Sequence, residues 1–305
     1  MITTQLDSVA APAIRPTTAG GDFVSIRGVR IDLTTLLNEE LLQPDSIADM
    51  KRRFLEAKPY PHLVIEGLFN PTLLELIHAE FDMLDPQQWR AFKDAQHNFG
   101  RVREGARWGP ASQLYFNLVN SGLFVNVLSA ITGVDALISD PYLAGGGLHE
   151  TKAGGKFEMH TDFNKHIRTM LDHELILLTY LNKDWEPSYQ GALELWDVDT
   201  RQCVQSVLPT FGRTILIKHG GRSLHGHPHP LTPPPGRTRR SVASSYYTNR
   251  HPNDFSVERH PSKFLPPDRT SLAARLKLGI WYVTPPLVWH TLKSLVKGGG
   301  KTGKY

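Results

Sequence analysis

Apolar positions in the first half of the chain recur at helical spacing, and in the second half they come in short alternating runs. DSIADMKRRFLEA, residues 45–57, opens on Asp45, a capping-type residue, and predicts a helix. Pro61 interrupts, and HLVIEGLF, residues 62–69, reads as a short strand. PTLLELIHAEFDML, residues 71–84, places Pro71 in a first turn and carries an amphipathic stripe. QQWRAFKDAQHNFGRVREGARWG, residues 87–109, is polar and reads as irregular. NSGLFVNVLSAITG, residues 120–133, reads as a helix closed by Gly133.

After Leu137 the texture changes. GLHETKA, KFEMHTD, HELILLTYLN, GALELWDVD, QCVQSVLP, RTILIKHG and RRSVASSYYT follow one another between Gly, Asp, Asn and Pro turns. Many short strands with turn residues between them predict an all-β sandwich or barrel. The expected fold is therefore mixed α and β, a jelly-roll-like core flanked by N-terminal and C-terminal helices. Residues 23–296 are expected as a single domain. It comprises a helical N-terminal part (23–135), a β core (136–250) and a C-terminal helical extension (251–296) containing SLAARLKLG. Residues 1–22 read as a flexible lead-in rich in Ala, Thr, Pro and Gly, and residues 297–305 as a basic tail.

Composition narrows the function classes. The 305 residues are 40% hydrophobic and 21% charged, enough to bury a core. The 34 basic and 30 acidic residues are interspersed, and a net charge of +4 makes no case for a nucleic-acid partner. The single cysteine, Cys203, excludes a disulfide framework, fits a reducing cytoplasmic setting and reads as a structural strand residue. The N-terminus lacks the basic start and apolar block of a signal peptide, and no apolar run reaches the roughly 20 residues that span a bilayer. The segment WYVTPPLVWHTLKSLVKGGGKTGKY reads as packing back on the core, with His290 structural; peripheral contact with a membrane surface is its alternative.

The candidate chemistry lies in the β-rich half. In KFEMHTDFN, His160 and Asp162 are two residues apart on a strand and so project to one face. Such a pair with one distant histidine makes a two-histidine, one-carboxylate facial triad, which holds Fe(II) and keeps other coordination positions open. SLHGHPHPL offers His225, His227 and His229 for the third place, all of one parity. Pro228 and Pro230 cannot donate to a ladder, so the strand is expected to end near Gly226. His225 is then the ligand, and His227 and His229 lie on the exit turn, solvated or outside the ligand set. In TRRSVASSYYT, Arg239 and Ser241 share a face, and an arginine there can grip a carboxylate through paired hydrogen bonds. Arg240 faces the other way and reads as a surface charge.

HTD, YLNKDW, SLHG and RRSVASSYYT, in that order, resemble the Fe(II)/2-oxoglutarate oxygenases, and most closely their prolyl-4-hydroxylase-like branch. YLNKDW followed by GALELWD is similar to the hypoxia-sensing prolyl hydroxylases. The likeness covers roughly residues 147–248. It implies a double-stranded β-helix in which His160, Asp162 and His225 ligate Fe(II). It further implies that Arg239 binds the distal carboxylate of 2-oxoglutarate, with Tyr180 hydrogen-bonding the same group and Ser241 beside it. The implied cofactors are Fe(II), 2-oxoglutarate and O2, with ascorbate as a stimulant. The implied reaction hydroxylates an aliphatic C–H bond and releases succinate and CO2. The intact carboxylate of Asp162 favours hydroxylation, since the related halogenases lack it.

Two departures stand out. Lys152 lies near the place where the family often has a tyrosine. PLTPPPG lengthens the interval after His225, which leaves Arg237 and Arg240 open beside Arg239. A small-molecule or peptide-like substrate is expected, because no partner-binding module is recognisable and the pocket wall differs at Lys152. The alternatives are a protein (prolyl) hydroxylase, a non-catalytic metal-binding jelly-roll module, a cupin-type enzyme using another metal, and a zinc hydrolase using Glu158 as base. Succinate formation separates the 2-oxoglutarate readings from the others.

Overall fold

A computed structural model describes residues 22–94, 98–103, 105–249 and 258–265. Two compact units part after Ser262, and of the second only residues 263–265 are described. Residues 1–21 of the expected lead-in (1–22), the helix SLAARLKLG, His290 and the basic tail lie outside the described residues, so everything below concerns the first unit.

The chain begins with a hairpin of β1 (Phe23–Ile26) and β2 (Val29–Asp32). Helix α1 (Pro44–Glu56), β3 (His62–Ile65) and helix α2 (Pro71–Glu80) follow. A second hairpin, β4 (Trp89–Lys93) and β5 (Asn98–Val102), precedes helices α3 (Pro110–Val119) and α4 (Gly122–Thr132). The β-rich half supplies β6 (Ile138–Ser139), β7 (Gly147–Thr151), β8 (Phe157–Thr161), β9 (Asp172–Tyr180), β10 (Leu193–Asp197), β11 (Gln202–Val207), β12 (Thr214–Lys218), β13 (Leu224–His227) and β14 (Arg239–Thr248).

Helix ends follow local chemistry. Gly133 closes α4 in the left-handed conformation at φ 70°, where a side chain would be strained. Asp45 is not the cap of α1. Pro44 takes the first helical position after Gln43, and Asp45 lies in the first turn, where the helix dipole favours a carboxylate. The stretch read as irregular is in fact the β4–β5 hairpin. Phe92 pairs with Phe99 across it, their rings stacked 5.0 Å apart, and β5 continues onto β7.

Two antiparallel sheets make the core of the unit. The major sheet runs β3-β12-β9-β14-β7-β5-β4, with β6 beside β14, and the minor one runs β11-β10-β13-β8. Period-two alternation divides the major sheet into two faces. Leu175 and Leu177 of β9, Leu216 of β12, and Val242 and Tyr246 of β14 join Leu74, Ile77, Tyr115 and Phe124 of the helices in one apolar cluster. On the other face, Ile176 and Tyr180 of β9 and Ile215 and Ile217 of β12 meet Leu193 and Leu195 of β10 and Val207 of β11. The two sheets thus face each other across this second cluster. Cys203 is exposed on the edge strand β11 and does not contribute to the core. Among the described residues no single helix is long and apolar enough to cross a membrane.

A buried carboxylate ties the helical layer together. Glu80, at the end of α2, accepts from the backbone N–H groups of Ala111 and Ser112 (2.8 Å each) and from Ser112 Oγ (2.6 Å). These are among the N–H groups that a helix start leaves unpaired, so α3 begins where Glu80 receives it. Glu80→Ala should lower unfolding free energy by about 3 kcal/mol, the scale of hydrogen bonds to a buried charge. Urea unfolding would measure it, and a loss below about 1 kcal/mol would show that water replaces the carboxylate.

Candidate metal centre

The antiparallel pairing of β8 with β13 sets His160 directly opposite His225, their ring centres 4.6 Å apart. Asp162 follows just past the end of β8. Its Oδ1 lies 3.2 Å from His160 Nε2 and its Oδ2 3.7 Å from His225 Nε2. One ligand atom from each residue falls within 4.8 Å of the others. A carbonyl oxygen anchors each imidazole: His160 Nδ1–H donates to Glu158 (2.8 Å) and His225 Nδ1–H to Ser223 (2.9 Å). A proton on Nδ1 puts the lone pair on Nε2, the tautomer a metal requires.

The electrostatics suit a cation. Burial would raise the Asp162 carboxyl, but the close imidazole of His160, and after it those of His225 and His173, outweigh that effect. They hold Asp162 well below the usual carboxylate range. Burial, aided by His160, lowers His225 to about 4. At neutral pH, Asp162 is an anion and His225 is neutral, as ligation demands.

Support for this centre comes from residues the sequence did not single out. His219 Nε2–H donates to the Asp162 carbonyl (3.2 Å), and its ring stacks on His173 at 4.4 Å. His173 Nδ1–H donates to the Phe163 carbonyl (3.1 Å), and its pKa falls to about 3, through burial first and His219 second. Phe157 stacks on His160 at 4.1 Å, and Phe99 of the hairpin stacks on Phe157 at 4.9 Å. Each lies in an ordinary-looking run, and only tertiary placement brings it to the centre.

Arg239 opens β14, on the face of the major sheet that meets β10 and β11. It is buried, and its Nε–H donates to the Gly191 carbonyl (2.7 Å). Its guanidinium carbon lies 5.0 Å from the centre of the Tyr180 ring, which is itself buried. The Tyr180 hydroxyl is close to that charge, but no hydrogen bond of good geometry joins them, and the oxygen has no partner among the described residues. Ser241 is buried on the same face, in register with Tyr180 and His149.

Arg240 corrects an expectation. It points to the opposite face but is not a surface charge. It is buried, paired with Asp82 and with Glu150 (3.1 Å), and donates to the His78 carbonyl (3.2 Å). Arg237 is spent on the Lys183 and Asp184 carbonyls (3.0 Å each). Of the three arginines, Arg239 alone faces Tyr180 without a carboxylate partner among the described residues. The proline-rich insert is anchored, with Leu231 N–H donating to the Gly155 carbonyl (2.9 Å), Gly154 N–H to the Leu231 carbonyl (2.8 Å) and Thr232 N–H to the Tyr189 carbonyl (3.0 Å). Lys152 is exposed, and Glu158 is held by Lys156.

His227 departs further. The strand does not end at Gly226: β13 runs through His227, which is buried, with Nδ1 unpartnered. His229 is exposed, with Nε2 3.3 Å from Glu194 Oε1. Gly226, between His225 and His227, passes so near β8 that a Cβ there would meet the Glu158 and Phe157 carbonyl oxygens at 2.8 Å.

Residues 146–248 match the family model of the 2OG-Fe(II) oxygenase superfamily. This segment is a 2OG-Fe(II) oxygenase domain. The enzyme is accordingly a 2-oxoglutarate- and Fe(II)-dependent dioxygenase. No curated protein sequence matches the chain. Among solved structures, the oxygenase is similar to a prolyl-4-hydroxylase from Pseudomonas putida. Identity is 16% over 66% of this chain and 98% of that one, with a TM-score of 0.46. It is also similar to an oxidoreductase of the 2OG-Fe(II) oxygenase family from Burkholderia pseudomallei (13% identity, 67% and 92% covered, TM-score 0.48). A third similar structure is HygX from Streptomyces hygroscopicus, bound to nickel, 2-oxoglutarate and hygromycin B (14% identity, 62% and 83% covered, TM-score 0.44).

The residues fit both groups the oxygenase needs. Two oriented imidazoles and a carboxylate suit Fe(II). A buried guanidinium beside an unpartnered hydroxyl suits a carboxylate. His225→Ala should abolish Fe(II) binding, and His229→Ala should leave it intact. His219→Ala should weaken it about tenfold by loosening Asp162. Anaerobic titration against a chelator measures all three, and an inert His225→Ala would rule out this ligand set.

Proposed function

We propose that the protein hydroxylates an aliphatic C–H bond of a small-molecule or peptide-like substrate, within a double-stranded β-helix formed by the two facing sheets. The observation that carries this reading is the pairing of two sites. A metal-competent triad lies on the minor sheet, and a buried guanidinium lacking a carboxylate lies on the facing major sheet. Bound Fe(II) supplies the oxidising chemistry, in which 2-oxoglutarate and O2 yield succinate, CO2 and one oxygen atom for the substrate.

His160, Asp162 and His225 would hold the metal from one side and keep the other accessible. Asp162 occupies the position a halide would need, which favours transfer of oxygen over chlorine. Arg239 would grip the distal carboxylate of 2-oxoglutarate, with the Tyr180 hydroxyl donating to the same group and Ser241 beside it. Burial of Arg239 and Tyr180 keeps water from competing for that carboxylate and strengthens the ion pair. His160 and His225 are buried, and the Asp162 side chain is 21% exposed. Solvent therefore reaches the centre on the Asp162 side.

Arg239→Ala should weaken 2-oxoglutarate binding by about 1.5–3 kcal/mol, the worth of a charge-assisted hydrogen bond. Arg240→Ala should leave that affinity unchanged and instead cost roughly 2–3 kcal/mol of stability, less than a fully buried pair because Asp82 is largely exposed. Equal loss of affinity in both variants would refute the assignment. A substrate-library screen of the iron-loaded enzyme, read by succinate, should yield a product heavier by one oxygen derived from O2. A desaturated or chlorinated product would overturn the hydroxylase reading.

A further inference from the structure

His227 has no task in the account so far, yet its position is constrained. It shares β13 with His225, two residues on, and pairs with Phe157 where His225 pairs with His160. Only 5% of it is exposed, and the Phe157 ring meets it edge-on at 6.3 Å. Its Nδ1 is buried and has no hydrogen-bond partner among the described residues, an arrangement proteins rarely tolerate without a ligand to complete it. It is not one of the triad's clustered ligand atoms.

The surroundings of His227 indicate what that ligand is. The ring is buried, and Arg239 and then His160 act on it electrostatically. His227 and Gly191, whose carbonyl anchors Arg239, also border one pocket of about 280 Å3. The Tyr180 hydroxyl, likewise unpartnered, sits against the same guanidinium. Two polar atoms without a partner among the described residues thus lie near a cation whose only hydrogen bond to a described residue is to a carbonyl. An anion accepting from all three would satisfy every one of them. The guanidinium and the Tyr180 hydroxyl can donate, and Nδ1 donates in the tautomer that carries its proton there, so an acceptor-only carboxylate matches all three.

We propose that His227 is a cosubstrate-binding residue, its Nδ1–H donating to the 2-oxoglutarate carboxylate that Arg239 grips. This rests on the reading of the site as 2-oxoglutarate-dependent. His227, Arg239 and Tyr180 then form a three-sided cradle, and the interval between His225 and His227 fixes its distance from the metal.

The test uses anaerobic calorimetry on the Fe(II)-loaded protein with two probes, 2-oxoglutarate and 2-oxobutanoate, the second lacking the distal carboxylate. His227→Phe keeps the ring's bulk without its nitrogens and should weaken 2-oxoglutarate about tenfold, leaving 2-oxobutanoate and Fe(II) affinities unchanged. His227→Asn, whose amide nitrogen can stand where Nδ1 does, should recover most of the loss. Should the phenylalanine variant not fold, His227→Ala is read in the same way. Undiminished 2-oxoglutarate binding in the variant, or equal loss of both probes or of Fe(II), overturns the assignment. A wild-type protein that binds no 2-oxoglutarate overturns the proposed function itself.

Discussion

Strand β14 can be threaded through the major sheet in only one register. Its ten residues are all buried, so neither face is a solvent face that could absorb an error. Arg239, Ser241 and Ala243 turn toward the minor sheet, while Arg240, Val242 and Ser244 turn toward the helices. A slip by one residue would move Arg240 away from Asp82 and Glu150 and drive Val242 out of the helix-packed cluster. The salt bridges of Arg240 and the apolar contacts of Val242 and Tyr246 thus hold Arg239 where it is, without touching it. The pairing of β14 with β9 carries the same constraint to Tyr180, which lies opposite Ser241.

The minor sheet solves a different problem. Metal ligands repel or compete for protons when crowded, and here three of them share a volume a few ångströms across. Backbone carbonyls accept the outward N–H of both imidazoles, so each ring arrives already oriented. Asp162 hangs just beyond a strand end, where its conformation would otherwise be loose. The hydrogen bond from His219 to its carbonyl, with the stack of His219 on His173, fixes that end from β12 and β9. The major sheet therefore steadies a ligand on the minor one.

How much of this was legible depended on whether one segment or several decide the matter. The strands of the β-rich half, α4 with Gly133 and the spacing of His160 and Asp162 are local patterns, and they read correctly from the chain. The β4–β5 hairpin did not, because both its faces are half-exposed and no clean alternation marks it. Helix α3 went unread; Glu80, thirty-one residues upstream, receives its start. Parity gave the direction of Arg240 but could not reveal that α2 and its continuation cover that face. The prolines after His227 were taken to end the strand too early, whereas a strand can run right up to a proline. His149, His173 and His219 were invisible for a simpler reason: a lone histidine in an apolar run carries no local sign of what will face it.

The close approach at Gly226 has a bearing on how such a chain can change over time or in the laboratory. A different side chain on either side of it would meet no backbone wall, and what such a change costs is the function of His225 or His227 itself. The spacer itself cannot be exchanged, because any side chain there collides with two carbonyl oxygens of the neighbouring backbone, which cannot swing aside as a flexible side chain would. Variation around this centre is therefore channelled into the loops: His225 is held by the metal it would bind, and the step after it is frozen by backbone geometry alone.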